Sequence, residues 1–225
     1  MSPDRLVIAI DGPSGSGKST TSKGVAKALG LAYLDTGAMY RAVTCAFLAA
    51  GVDPGDAPGV IAATLGADLQ ISTDPDDQWV RVNGQDVTTE IREPSISATV
   101  SAVSTLAECR ANLVERQRRI IDQAPAGVVA EGRDITTVVA PDADVRLLLT
   151  ADPQIRMARR QAELGQKLTA DQLADQILRR DSDDSTLVNF TTAADGVTHL
   201  DCTYLTLDET IQAVLDLVRR TTGTS

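Results

Sequence analysis

Gly12-Pro13-Ser14-Gly15-Ser16-Gly17-Lys18-Ser19 is the stretch that decides how this chain folds. It follows a short apolar run, Leu6 to Ile10, and opens a segment of helical character, Ser19 to Leu29. A buried strand, a glycine turn and a helix in that order make a P-loop. Glycines let the backbone close around an anion with successive N–H groups pointing inward, and the helix adds its positive N-terminal end. Lys18 supplies a mobile positive charge for the β- and γ-phosphates, and the Ser19 hydroxyl suits the oxygen shell of a Mg2+ ion. Gly12, Pro13, Ser14, Gly15, Ser16, Gly17, Lys18, Ser19 and Thr20 are therefore the expected residues for binding a nucleoside triphosphate, with Ser19 as the metal ligand.

Outward from that loop, apolar runs alternate with amphipathic stretches, as in a parallel sheet flanked by helices. Strands are expected at Val7 to Ile10, Ala32 to Leu34, Val128 to Ala130, Val145 to Leu149 and Thr198 to Asp201. Helical spacing covers Ala38 to Ala49, Ser95 to Gln123 with one break, Asp152 to Leu164, Leu168 to Arg180 and Ile211 to Arg220. Gly51 to Gly59 reads as a loop, and Thr206 to Glu209 as a capping box before the last helix. Between Asp68 and Val87 the period shortens. Asn83-Gly84, where both positions tolerate positive φ, marks a hairpin and hence a small antiparallel insertion.

Composition narrows the class. The 225 residues can bury one sizeable core, and the net charge of −10 argues against a surface that tracks nucleic acid. Arginines nevertheless cluster at Arg116/Arg118/Arg119, Arg159/Arg160 and Arg179/Arg180. The first cluster, like Arg219/Arg220, reads as a solvated helix face. Cys45, Cys109 and Cys202 have no metal-ligand spacing and read as buried hydrophobes in a reducing compartment. A single histidine, His199, disfavours a histidine-based metal site or triad. With no signal pattern and no long apolar run, a cytoplasmic location is expected.

The remaining sequence selects a reaction. Guanine-binding switches need Asn-Lys-x-Asp, and none of Asn83, Asn112 or Asn189 precedes a lysine. Transporter and motor ATPases carry an apolar strand ending in Asp-Glu, whereas here it ends Ala130-Glu131-Gly132-Arg133-Asp134. A kinase for a small phosphorylated acceptor must hold two anions end to end and exclude water, which calls for several arginines and Mg2+. Arg41, Arg110 and Arg133 lie at element boundaries able to face the loop. The pairs at 159/160 and 179/180 flank a helix–turn–helix that could act as a lid.

Several segments carry a more specific resemblance. Ile10 to Thr20, Leu34-Asp35-Thr36-Gly37-Ala38-Met39-Tyr40-Arg41, Val82 to Thr88, Glu90-Ile91-Arg92 and Glu131 to Val139 with Ala140-Pro141-Asp142-Ala143 occur in order. In these the chain resembles the bacterial cytidylate kinases over nearly its whole length. The resemblance implies a single three-layer α/β P-loop kinase fold over residues 1–225. Its core would be 1–35 and 126–225. The monophosphate-binding part with the β insertion would be about 36–125, and the short helical lid about 159–185. It implies transfer of the γ-phosphoryl group of ATP to CMP or dCMP, with Mg2+, by a cytoplasmic monomer that needs neither nucleic acid nor membrane.

Position by position, the resemblance places Thr36 and Arg41 on the acceptor, and Arg110 and Arg133 on its phosphate. A guanidinium pairs with phosphate oxygens in a bidentate way that lysine cannot copy. Ser101, Arg110 and Asp134 would surround the cytosine, with the acceptor-only carboxylate suited to the exocyclic amine. Asp184 would contact the pentose hydroxyls. Lys18 and Arg133 would act on the transferring group together with the lid arginines Arg159 and Arg180, with Arg160 as a third. One departure stands out: Leu187 occupies a position where the family often has an arginine.

Overall fold

The computed structural model describes residues 5–164 and 192–223. The helix expected at Leu168 to Arg180, most of the expected lid, Arg180, Asp184 and Leu187 fall outside the described residues.

Strand β1 (Leu6–Asp11) runs into the glycine loop and α1 (Lys18–Leu29). Strand β2 (Ala32–Asp35) leads directly into α2 (Thr36–Ala49), which starts two residues earlier than its apolar spacing suggests. The reason is local: the Asp35 side chain accepts the Ala38 N–H at 2.8 Å and caps the helix from the strand end. Helix α3 (Ala57–Gly66) begins inside the segment expected to be loop. Asp56 caps it and Pro58 stands in its first turn, where a missing N–H costs nothing.

The insertion is a three-stranded antiparallel sheet of β3 (Leu69–Ile71), β4 (Val80–Val82) and β5 (Gln85–Asp86). Its β4–β5 turn has φ 52° at Asn83 and 77° at Gly84, the left-handed pair that a two-residue hairpin needs. A 3-10 turn (Glu90–Arg92) follows. The long helical stretch is then broken twice, not once, into α4 (Pro94–Thr99), α5 (Ser101–Ser104) and α6 (Ala107–Gln123). Arg116 is half-buried, whereas Arg118 is exposed, as a solvated face requires. They donate to the carbonyls of Ala67 and Val138 at 2.7 and 2.6 Å and tie α6 to the end of α3 and to the turn after β6.

Strand β6 (Gly127–Gly132) ends in a π-type turn, Ile135–Val139; β7 (Val145–Thr150), α7 (Pro153–Leu164), β8 (Thr198–Asp201) and α8 (Leu207–Thr222) complete the described chain. The central sheet has the order β2-β6-β1-β7-β8, and each neighbouring pair is parallel. Both faces are covered. Ala9, Leu34, Val128 and Ala130 join α2 and α6 in one apolar cluster, while Ile8, Ile10, Tyr33, Val129 and Leu147 join α1 and α8 in the other. Strand alternation sends successive residues into these two cores. The expected α/β class, parallel sheet and antiparallel insertion are all present.

Candidate active site

The register of the central strands builds the site. Asp35 pairs with Glu131 across β2 and β6, and Asp11 pairs with Gly132 across β1 and β6. Three acidic side chains thus end adjacent strands on the carboxyl edge, where doubly wound sheets bind ligands. The glycine loop rises from the same edge. A Cβ at Gly12 would strike the Leu149 carbonyl, so only glycine lets the loop lie so close to β7. Gly17, at φ 89°, turns the chain into α1.

An open cavity of about 460 Å³ lies beside this edge. Ser14, Gly15, Gly17, Lys18, Ser19 and Thr20 form its donor end; Thr36, Tyr40, Arg41, Ser97, Ser104, Arg110, Arg133 and Asp134 line the rest. Among the described residues its cations are Lys18, Lys23, Arg41, Arg92, Arg110, Arg133 and Arg160, and its carboxylates are Asp35, Glu93, Glu131 and Asp134. An acidic molecule has therefore gathered a positive excess in one cleft, which suits two polyanionic ligands.

Glu131 is the centre of the polar network. It is 2 % exposed, accepts the Ser19 hydroxyl at 2.5 Å and the Tyr33 hydroxyl at 3.0 Å, and faces Lys18 Nζ at 3.9 Å. Burial, reinforced by the nearby Asp35 charge, pushes its carboxyl above the usual range. Burial acts on Asp35 in the same direction, but the Arg41 guanidinium at 3.1 Å, the Ala38 N–H and Lys18 outweigh it and hold that carboxyl low. Burial and the Glu131 charge raise the Tyr33 hydroxyl well above its usual value. The Thr36 hydroxyl donates to the Glu131 carbonyl at 2.8 Å. Gly132 leaves room for this contact, since a Cβ there would collide with Thr36 and Ile135.

Of the residues expected on the acceptor, Thr36, Arg41, Arg110, Arg133 and Asp134 come together around the cavity, and Arg110 pairs with Asp134 at 2.7 Å. Ser101 begins α5, half-buried, and is not among the lining side chains; Ser97 and Ser104 are. Arg160 lines the cavity, whereas Arg159 lies behind the loop, donating to the carbonyls of Ser16 at 3.2 Å and Cys202 at 3.0 Å. Arg156 holds the loop from the same side through the Ser14 carbonyl at 2.9 Å. Glu131, Tyr33, Tyr40, Lys23 and Arg92 were given no role from sequence. Lys23, four residues after Ser19 on α1, was open to a helical-spacing argument. Glu131 was not, because its partners lie about a hundred residues away.

Such an edge, with a glycine loop at one end and a cation-lined cleft at the other, defines a nucleotide-dependent phosphotransferase. Comparison with known proteins makes the class specific. A family model described as cytidylate kinase matches residues 8–220. The chain is 56% identical over 220 residues to the cytidylate kinase of Cutibacterium acnes, covering 97% of this chain and 98% of that one. It is 45% identical to the cytidylate kinase of Streptomyces avermitilis (95% and 92% covered) and to that of Mycolicibacterium paratuberculosis (98% and 97%). An uncharacterized protein from Eubacterium ventriosum has a similar fold in its crystal structure, with a TM-score of 0.52 at 10% identity, covering 95% of this chain and 98% of that one. This chain belongs to the cytidylate kinase family, and so to the ATP-dependent nucleoside monophosphate kinases.

Proposed function

We propose that this protein transfers the γ-phosphoryl group of ATP to CMP or dCMP, giving ADP and the cytidine diphosphate, as a cytoplasmic monomer. The observation that carries the reading is the continuity of the cavity, from the glycine loop to Arg41, Arg110, Arg133 and Asp134. Both substrates can lie end to end in one cleft, which direct transfer requires.

In this reading the loop N–H groups and Lys18 bind the donor phosphates. Arg41, Arg110 and Arg133 offset the repulsion between donor and acceptor and align the acceptor phosphate oxygen. Asp134, fixed by Arg110, accepts from the cytosine amino group and disfavours the carbonyl that uracil puts there. Thr36 orients the acceptor. The role drawn from family resemblance for Ser101 passes to the serines facing the cavity, Ser97 and Ser104. Arg156 and Arg159 hold the loop carbonyls outward, leaving the amides directed at phosphate. In this reading the monophosphate-binding part is about 36–125 and the core is 1–35 and 126–225, with the lid at about 159–185. Lid closure would bring Arg160 and Arg180 over the transferring group, and Asp184 to the pentose.

The residues at the donor end fit Mg2+. Ser19, Glu131 and Asp35 present hard oxygen donors, and the Ser19 hydroxyl already engages a buried carboxylate. Among the described residues no group of three metal-ligating acidic, histidine or cysteine side chains forms a complete cage. Ser19 would hold the ion jointly with substrate phosphates, supported by Glu131 and Asp35. When bound, the ion neutralises charge on the phosphoryl oxygens.

Coupled ADP release with ATP–Mg2+ and, in turn, CMP, dCMP, UMP, AMP and GMP tests the reading. Fast turnover with CMP or dCMP alone supports it. Preference for another monophosphate would show that the assignment at Asp134 is wrong, and ATP binding without any acceptor-dependent ADP would overturn the kinase reading.

A further inference from the structure

Asp11 closes β1 one residue ahead of the glycine loop, and none of the roles above uses it. It is 3 % exposed, and both of its carboxylate oxygens are occupied by the segment that follows Arg133 and Asp134. Its Oδ1 accepts the Ile135 N–H at 2.8 Å; its Oδ2 accepts the Thr136 N–H at 2.9 Å and the Thr136 hydroxyl at 2.6 Å. The next residue, Gly12, donates its N–H to the Gly132 carbonyl at 3.3 Å. The end of β1 therefore grips both flanks of Arg133-Asp134.

At this point the backbone leaves regular geometry. Asp134 has φ −139° and ψ 20°, and the chain enters the π-type turn. Such turns leave their first N–H groups without partners inside the turn. The residue placed to cap it is Asp134, yet Asp134 makes no side-chain capping bond; its carboxylate meets Arg110 instead. Asp11 supplies the missing acceptors from another strand.

We infer that Asp11 is a positioning residue for acceptor recognition: by capping the turn in place of Asp134, it lets the Asp134 carboxylate face the cleft and fixes Arg133-Asp134 to the donor loop. The inference rests on the proposed function for the identity of the acceptor. It requires an acceptor-only group. A carboxamide at position 11 would set N–H groups against the Thr136 N–H and lose a charge-assisted bond.

The test compares wild type with Asp11→Asn, and with Thr136→Val, which removes only the hydroxyl contact. Steady-state ADP release gives KM for CMP and for ATP, kcat and the CMP-over-UMP ratio; amide hydrogen exchange is followed at Ile135 and Thr136. Asp11→Asn should raise the CMP KM about tenfold and narrow the CMP-over-UMP ratio. The ATP KM should stay within about twofold, too little for a lost donor contact, and the melting temperature should not fall. Thr136→Val should move the same way by less, and exchange at both amides in Asp11→Asn should accelerate. An unchanged CMP KM, or CMP and ATP KM values rising in step, would overturn the inference. Should wild type prefer another monophosphate, the acceptor named above is wrong, and the same split measured with that acceptor decides the role of Asp11. Should it turn over none, faster exchange at Ile135 and Thr136 in Asp11→Asn sustains the inference and unchanged exchange sinks it.

Discussion

At the scale of single residues, two side chains carry most of the proposed chemistry. Lys18 sits in the loop with its ammonium 3.4 Å from the Pro13 carbonyl and 3.9 Å from Glu131, a short swing from any phosphate in the loop. Lys18→Met should lower kcat by about a hundred- to a thousandfold, the usual effect of removing one preorganised group that stabilises transition-state charge. Single-turnover transfer from radiolabelled ATP would show it. In the proposed reading Asp134 governs selection. Asp134→Ala should cut kcat/KM for CMP by about ten- to a hundredfold while barely changing the value for UMP. A parallel loss for both would mean that the side chain only anchors Arg110.

Among elements, the junction of loop and sheet tolerates little change. Gly12→Ala has to push the loop away from the backbone of β7, because the obstacle is a carbonyl and not a flexible side-chain end. A cost of about 1–3 kcal/mol is expected from overpacking. It should appear as a lower denaturation midpoint together with weaker ATP binding by calorimetry. Legibility also divides at this scale. The β1–loop–α1 unit and the Asn83-Gly84 hairpin were readable because every residue that defines them is adjacent in sequence. Helix α3 was hidden by Pro58-Gly59, which signal a loop unless Asp56 is taken as a cap. Only one of the two breaks between α4 and α6 was expected, because Val100, Thr105 and Leu106 mark them with no glycine or proline. At the site, Thr36, Arg41, Arg133 and Asp134 could be named from motifs, and Arg110, outside every motif, from family resemblance. The link from Glu131 to Ser19 and Tyr33 could not, since it depends on the lateral order of β2, β6 and β1.

For the whole molecule, buried acids along the sheet edge make stability depend on pH. Burial pushes the Asp11 carboxyl up to about 6, against the bonds from Thr136 and Ile135 that pull it down. A folded value above the unfolded one, about 3.9, means that the native state holds a proton in that window which the unfolded chain has released. The contribution to stability is complete below about pH 4 and is lost as pH rises through 6. Asp11→Asn cannot titrate, so its stability relative to wild type should improve between pH 5 and pH 7.5, by about 1.4 kcal/mol. Urea denaturation of both proteins across that range measures it; a difference that stays flat would place the Asp11 carboxyl in its ordinary range.

The three thiols divide between the two faces of the sheet. Cys45 and Cys109 lie in the apolar cluster with α2 and α6, and Cys202 lies in the one with α1 and α8. Burial and the Glu90 carboxylate push the Cys45 thiol up to about 12, and burial also raises Cys109. Cys202 instead donates to the Ser16 carbonyl at 3.2 Å, directly behind the donor loop. Each face of the molecule thus carries its own stopwatch: a thiol becomes reactive only when the packing over it breathes open. A thiol reagent used under native conditions would time the two halves separately. ATP should lengthen the interval recorded at Cys202, and CMP those recorded at Cys45 and Cys109.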